Sequence, residues 1–427
     1  MATNKPVNAW IFLNEDEPSG TNYNSPNSCY QTLIQNNVYQ NIDILYMCFV
    51  TIVPTSSTTI PSGDGSSYTI QMGNLPHNQT YMENILRDAP QNNPNLKFGV
   101  TLEYGDGNLI NQIFQSGNPQ QDAASFASNL LQYLQHYGLN AFDSDWEWPL
   151  STDTTTANFK LLFSAIGELF QKQSEKYYLS ISPATSQNTD TATINSYIDF
   201  VNLQMYYSTS LPSSFPNVNQ NLFGYGVKFE ANGQTTDPWH QGFQTALNGY
   251  ELNTNNNQFP SYINWRLNSQ NFLFEQTQQQ VLYGLQHNNY ATQNQWGGTS
   301  APWHNGGTWV IGARNNQHVV ALNVSSSDSG QTLNGTMTYE GEGPIGFKAT
   351  LTNNNTYQVQ NQWGGSSAPW HAGGAWLLGC RTNQNVVAIN ISSTDGGKTL
   401  NGTMTYAGEG PIGFTGALQS AGQTAAM

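Results

Sequence analysis

The chain has little charge, few cysteines and no long apolar run, and each shortage narrows what it can be. Only 9% of its 427 residues are charged, and 12 Lys and Arg face 27 Asp and Glu, a net charge of -15. No basic patch exists to neutralise phosphates, which argues against nucleic acid and anionic membranes as partners. No run of apolar residues is long enough for a membrane span, so no membrane segment is expected. Cys29, Cys48 and Cys380 are too few and too scattered for a disulfide framework. No CxxC pair and no His/Cys cluster has metal-ligand spacing, so neither a metal site nor a cofactor is expected. The amino terminus, MATNKPVNAWIFLN, lacks a basic segment followed by a long apolar stretch. No standard secretory signal is therefore expected. The reading is of a soluble protein, its location left open between the cytoplasm and a non-classical export route.

Aromatic residues and neutral polar residues fill the place of charge. Aromatics make up 12% of the chain, with 11 Trp and 22 Tyr. Such a surplus suits carbohydrate ligands, whose C–H faces lie on rings while their hydroxyls seek polar partners. The acidic excess is uneven. Residues 1–288 hold 8 Lys and Arg against 22 Asp and Glu, whereas residues 289–427 hold 4 against 5.

The densest chemistry lies in Asn140, Ala141, Phe142, Asp143, Ser144, Asp145, Trp146, Glu147, Trp148 and Pro149. In an extended strand alternate side chains share a face, so Asp143, Asp145 and Glu147 point one way while Phe142 and Trp146 enter an apolar layer. Crowded carboxylates repel, so at least one is expected to keep its proton near neutral pH and to be able to act as a general acid. Glycosidic bonds are cleaved by that chemistry. A calcium loop is excluded because Trp148 occupies the sixth position, where the sharp turn needs glycine. A solvent-facing acidic strand is the plain alternative.

Around this run, strand-like and helix-like segments alternate through residue 288, as a βα-repeat fold requires. Apolar β-rich runs cover 8–13, 42–53, 96–102, 141–147, 178–182, 200–206, 223–228 and 262–267. Phe126, Leu130, Leu134 and Tyr137 recur on one helical face that Gly138 can end. Phe159, Leu162, Phe163, Ile166, Leu169 and Phe170 form another, and a last helix is expected over 271–286. Eight strands with intervening helices predict a (β/α)8 barrel of the TIM type, with its chemistry at the carboxyl ends of the strands. A doubly wound sheet is the runner-up, but no glycine-rich phosphate loop follows an early strand.

The rest of the chain repeats itself. Residues 294–347 and 361–414 align without gaps at a period of 67, and 40 of 54 positions are identical. Glycine-rich turns around short alternating segments predict an all-β antiparallel unit, and two copies are expected to complete one barrel. The domains are thus read as 1–288 and 289–427, with repeats at about 289–355 and 356–421. Among the charged residues of the repeat, Arg314 recurs as Arg381, Asp328 as Asp395 and Glu342 as Glu409. The two Asp precede glycines and read as turn residues. Each Arg and Glu lies beside a glycine-bounded turn, and the repeat also keeps Trp296 and Trp363. An aromatic platform with a guanidinium and a carboxylate can bind sugar hydroxyls; an internal Arg–Glu salt bridge is the structural alternative.

The repeats resemble the high-mannose-binding agglutinin family first known from cyanobacteria, through NQWGGxSAPW and LNGTMTYxGEGPIGF. The resemblance implies a ten-stranded β-barrel with two glycan sites, each mixing opposite repeats. One would use Trp296, Gly297 and Gly298 with Arg381 and Glu409, and the other Trp363, Gly364 and Gly365 with Arg314 and Glu342. The implied ligands are high-mannose glycans.

Residues from about 8 to 288 resemble glycoside hydrolase family 18. The family pattern DGxDxDxE stands here as NAFDSDWE. The resemblance implies that Glu147 is the general acid/base, that Asp145 orients the substrate's N-acetyl group, and that Asp143 shares a proton with Asp145. It also implies that Tyr206, in VNLQMYY, holds the acetamide oxygen, and that Trp265, in INWRLN, floors the cleavage subsite. Gln204 and Trp10 are expected to contact substrate. Asn140 and Ala141 replace the usual Asp and Gly, and TLEYGDG (101–107) replaces the usual Ser-x-Gly-Gly. The implied function is a retaining hydrolase of β-1,4-linked N-acetylglucosamine, of chitinase type and acting on chitin or N-acetylglucosamine oligosaccharides. An endo-β-N-acetylglucosaminidase acting on high-mannose N-glycans and a barrel that only binds sugar are the alternatives.

Overall fold

The computed structural model describes residues 6–13, 22–206, 214–228, 261–269, 272, 273, 275, 276, 279, 283, 289–294, 308–310, 319–351, 356–362, 375–377 and 386–418. Two separate sheets organise them. The first contains β1 (Val7–Phe12), β2 (Ile44–Pro54), β3 (Tyr68–Met72), β4 (Lys97–Leu102), β5 (Ala141–Trp146), β6 (Tyr178–Pro183), β7 (Phe200–Gln204), β8 (Phe223–Lys228) and β9 (Ser261–Trp265). All but β3 pair in parallel, and β1 pairs with both β2 and β9. The parallel strands therefore close into an eight-stranded barrel. Each of the eight predicted strands has its counterpart. The ninth, β3, runs antiparallel along the outer half of β2.

The helices between strands are α1 (Cys29–Gln35), α2 (His77–Asn92), α3 (Pro119–Tyr137), α4 (Leu150–Asp153), α5 (Thr156–Gln171) and α6 (Thr191–Tyr197). The α3 helix starts with Pro119 behind the Asn118 cap and ends at Gly138, whose φ of 68° is the left-handed conformation that a C-cap requires. The described residues between 272 and 283 are helical, as expected there.

Alternation divides each strand between two apolar layers. Phe142 and Trp146 face outward into the large core, where Trp146 packs edge-on against Phe159 and Phe163 of α5. Trp10, Tyr46, Cys48, Ala141 and Ile263 form a second, smaller cluster. Ala141 shares a strand face with Asp143 and Asp145, so this cluster is the floor beneath the acids. It is tightly filled. A Cβ on Gly99 would lie 2.7 Å from the Tyr46 ring.

The second sheet has ten strands: β10 (Asn289–Asn294), β11 (Thr308–Val310), β12 (Val319–Ser325), β13 (Thr332–Tyr339), β14 (Ile345–Leu351), β15 (Thr356–Asn361), β16 (Ala375–Leu377), β17 (Val386–Ser392), β18 (Thr399–Tyr406) and β19 (Ile412–Leu418). All its pairings are antiparallel, in the order β11-β10-β19-β18-β17-β12-β13-β14-β15-β16. The two copies meet at β12 and β17, where Asn323 pairs with its own repeat equivalent, Asn390. Each half of the sheet mixes the copies, because β10 pairs with β19 and β14 with β15. A single copy would leave those strands without partners, which is why the two behave as one unit. Among the described residues, no pairing joins β11 to β16.

Candidate active site and glycan site

The acids of β5 sit at successively shallower depth. Asp143 is fully buried; its Oδ1 accepts from Ser180 Oγ at 2.7 Å and Asn202 Nδ2 at 3.4 Å, and its Oδ2 from Ser182 Oγ at 2.9 Å. Burial pushes its pKa up to about 6, against the pull of these donors and of Thr101. Asp145 is 7% exposed. Burial first, then the charges of Glu147 and Asp143, then a hydrogen bond with Glu147 hold its pKa well above the usual carboxylate range. The upward shift expected from crowding is found in Asp145, but desolvation outranks repulsion as its cause. Glu147 lies one residue past β5, half-buried, with its backbone N–H donating to the Asp145 carbonyl at 3.0 Å.

Asp145 therefore bonds to Glu147, and Asp143 bonds to the hydroxyls and amide around it. The resemblance implied a proton shared between Asp143 and Asp145; the charge of Asp143 is among the causes that raise Asp145. Gln204, from β7, donates its side-chain amide to Glu147 Oε1 at 2.5 Å, to Asp145 Oδ1 at 3.3 Å and to the Ser182 carbonyl at 3.3 Å.

These groups open onto a cleft of about 470 Å³ at the carboxyl ends of the strands. Six of the seven barrel residues singled out from sequence line it: Trp10, Asp145, Glu147, Gln204, Tyr206 and Trp265. The seventh, Asp143, lies behind them. Trp10 donates Nε1–H to Thr101 Oγ1 at 2.9 Å and stacks on Tyr46 with ring centroids 4.6 Å apart. Trp265 is half-buried and stands 6.0 Å from Phe49, which in turn meets Tyr104 edge-on at 6.5 Å. Lys228 also lines the cleft, with its ammonium 5.8 Å from the centre of the Tyr206 ring.

Sequence reasoning missed Ser180, Ser182 and Asn202. Their signal was present in LSISPA and VNLQ, where polar residues alternate with apolar ones. Register pairs Asp143 with Ser180 and Asp145 with Ser182. It also missed Phe49 and Tyr104, whose positions follow only from barrel closure.

A family model for glycosyl hydrolases family 18 matches residues 20–309. A second, the OAA-family lectin sugar binding domain, matches residues 288–352 and 355–419. The chain belongs to glycosyl hydrolase family 18 and carries an OAA-family lectin domain. Lectin OAA of Planktothrix agardhii is 72% identical over 127 residues, 30% of this chain and 96% of that protein. Chitinase A1 of Niallia circulans is 27% identical over 139 residues, 29% of this chain and 20% of that protein. The crystal structure of the class V chitinase from Nicotiana tobaccum aligns with a TM-score of 0.46 at 12% identity, covering 66% of this chain and 99% of that one.

In the OAA-family part, Asp328 and Asp395 are turn residues as read from sequence. Each carboxylate accepts the backbone N–H four residues on, Thr332 and Thr399, at 2.8 Å, and those bonds lower the pKa of both. Glu342 and Glu409 are exposed in the hairpin turns β13–β14 and β18–β19, behind Gly341 and Gly408 at φ of 79° and 82°. Trp296, Gly297, Gly298, Arg314, Trp363, Gly364, Gly365 and Arg381 lie outside the described residues. Strand pairing nevertheless bears on the expected mixing of copies. Asn294, just before Trp296, pairs with Phe414 in the strand leaving the Glu409 turn, and Asn361 pairs with Phe347 in the strand leaving the Glu342 turn.

Proposed function

We propose that the barrel is a retaining hydrolase of β-1,4-linked N-acetylglucosamine, of chitinase type, and that the lectin domain brings it to surfaces bearing high-mannose glycans. The observation that carries this reading is that Asp145 and Glu147 line one cleft and share the Gln204 amide, with Glu147 the more open member. Glu147 gives its proton to the glycosidic oxygen as the bond to C1 breaks. The substrate's own acetamide oxygen attacks C1 from the other face, closing a five-membered ring. Asp145, ionised once its proton has passed to Glu147, accepts the acetamide N–H and stabilises the positive charge on that ring. Tyr206 holds the acetamide oxygen, and Trp265 supports the sugar from below. Water, deprotonated by Glu147, then opens the ring and restores the original configuration.

Asp143 keeps Asp145 from ionising too readily, since two buried anions this close repel. Its hydroxyl and amide donors hold it in place. In the lectin domain, Trp296, Gly297, Gly298, Arg381 and Glu409 form one glycan site, and Trp363, Gly364, Gly365, Arg314 and Glu342 the other. Two sites raise avidity on clustered glycans without any new contact. The domain boundary is placed at 288/289.

A second reading has one observation in its favour. High-mannose glycans carry an N-acetylglucosamine pair at their root, so a mannose-binding domain on the same chain also fits an endo-β-N-acetylglucosaminidase. Chitin oligosaccharides and a high-mannose glycoprotein, offered in parallel, separate the two. Shortened chitin oligomers support the chitinase. Glycan release leaving one N-acetylglucosamine on the protein supports the endoglycosidase. No product from either substrate overturns both in favour of sugar binding alone.

A further inference from the structure

The side-chain amide of Gln204 occupies an unusual position, within hydrogen-bond reach of both carboxyls that the proposed reaction uses. It arrives from a different strand. Gln204 ends β7 and lies in register with Gly226 of β8. That strand pair is close: a Cβ on Gly226 would stand 2.3 Å from the Leu203 carbonyl oxygen. The tight approach fixes the end of β7 beside the cleft. From there Gln204 Nε2 lies 2.5 Å from Glu147 Oε1 and 3.3 Å from Asp145 Oδ1, with the Ser182 carbonyl also at 3.3 Å.

An amide nitrogen carries two hydrogens and no acceptor lone pair for these groups. It can therefore donate to both carboxyls, with the Ser182 carbonyl sharing the same two hydrogens, but cannot take a proton from either. We infer that Gln204 is a positioning residue that clamps Glu147 and Asp145 into one hydrogen-bonded set, so that their shared proton passes between them without either carboxyl leaving the cleft. This rests on the hydrolase reading and adds to it the element that sets the resting place of the proton. A donor favours the ionised form of its acceptor. The shorter bond of Gln204 is to Glu147, and the buried Asp145 is the member that keeps the proton at rest. When the substrate's acetamide N–H approaches Asp145, the preference reverses and the proton moves to Glu147. The second N–H of Gln204, shared with the Ser182 carbonyl, still reaches Asp145 Oδ1 during that exchange.

Other titratable groups surround the pair. Asp143 lies on its own strand, Cys48 on β2, Tyr104 beyond β4, Tyr206 beyond β7, Lys228 on β8 and Arg266 beyond β9.

The test replaces the amide with a side chain of similar length and no donor. Gln204→Met is expected to lower kcat by about tenfold or more on chitin oligosaccharides, with KM changed by less than about threefold. The acidic limb of its kcat/KM profile is expected about one pH unit higher, because both carboxylates lose a donor. A residue that only filled space would lower activity or stability without moving that limb, so an unmoved limb overturns the inference. The side-chain carboxyl signals of Asp145 and Glu147, titrated by carbon NMR in both proteins, provide a readout that needs no turnover. Unchanged titration of the pair in Gln204→Met overturns the inference even if the wild type proves inactive. Inactivity of the wild type alone overturns the hydrolase reading.

Discussion

At the scale of single residues, depth assigns the roles. Three carboxylates alternate on one strand, but only Glu147 is open enough to meet a glycosidic oxygen, and only Asp145 touches it. Glu147→Gln is expected to cut hydrolysis by roughly 10²–10⁴-fold, the usual contribution of a general acid, while substrate binding persists; equal rates in an assay on chitin oligosaccharides would contradict that role. Asp143 makes a claim about stability. Its pKa is raised to about 6, so the folded state holds a proton that the unfolded chain releases near pH 4. The stabilisation from this group is present below that range and is lost as pH rises through about 6, opposite in sign to a salt-bridged Asp. Urea denaturation at pH 4.5 and at pH 7 is expected to show Asp143→Asn losing about 2 kcal/mol less than wild type between the two. An identical loss in both proteins would place Asp143's proton elsewhere. The acids were legible in sequence because alternation alone puts them on one face. Their depth was not, since it depends on which strands close around them: Ser180, Ser182 and Asn202 come from β6 and β7.

At the scale of elements, the barrel rests on strands whose two faces do different work. The outward face of β5 is anchored by Trp146, fully buried against Phe159 and Phe163 of α5, with its Nε1–H donated to the Gln187 carbonyl at 2.9 Å. Trp146→Ala is expected to destabilise the barrel by about 3–5 kcal/mol, read from thermal or urea unfolding. A cost below about 1 kcal/mol would mean that β5 is held chiefly by its neighbouring strands. Helices α3 and α5 were readable because one face of each is buried and the other is wet, which leaves a 3.6-residue period in the sequence. The β3 strand was not. Thr69, Ile70 and Met72 are buried while Tyr68 and Gln71 are not, a pattern with no period of two. It lies between β2 and α3, where Asn129 donates to the Tyr68 carbonyl at 2.9 Å. Burial from both sides erased the alternation that marks a half-exposed strand.

At the scale of the molecule, an acidic hydrolase-family barrel and a nearly neutral lectin sheet share one chain. The sheet's dependence on both copies was legible from the 67-residue period, and its order β10–β19 and β14–β15 explains why one copy cannot stand alone. Which strands the copies exchange was not legible, because such similar repeats pair equally well with themselves on sequence grounds. If the proposed glycan sites are right, Arg314→Ala together with Arg381→Ala abolishes binding to immobilised mannan while hydrolysis of soluble chitin oligosaccharides stays within about twofold of wild type. Retained mannan binding would move those sites elsewhere. The most direct test of the whole account is mass spectrometry of chitin oligosaccharides incubated with the full chain, beside Glu147→Gln. Shorter oligomers from the wild type alone are the expected result. Uncleaved oligomers from both proteins, or equal cleavage by both, would contradict it.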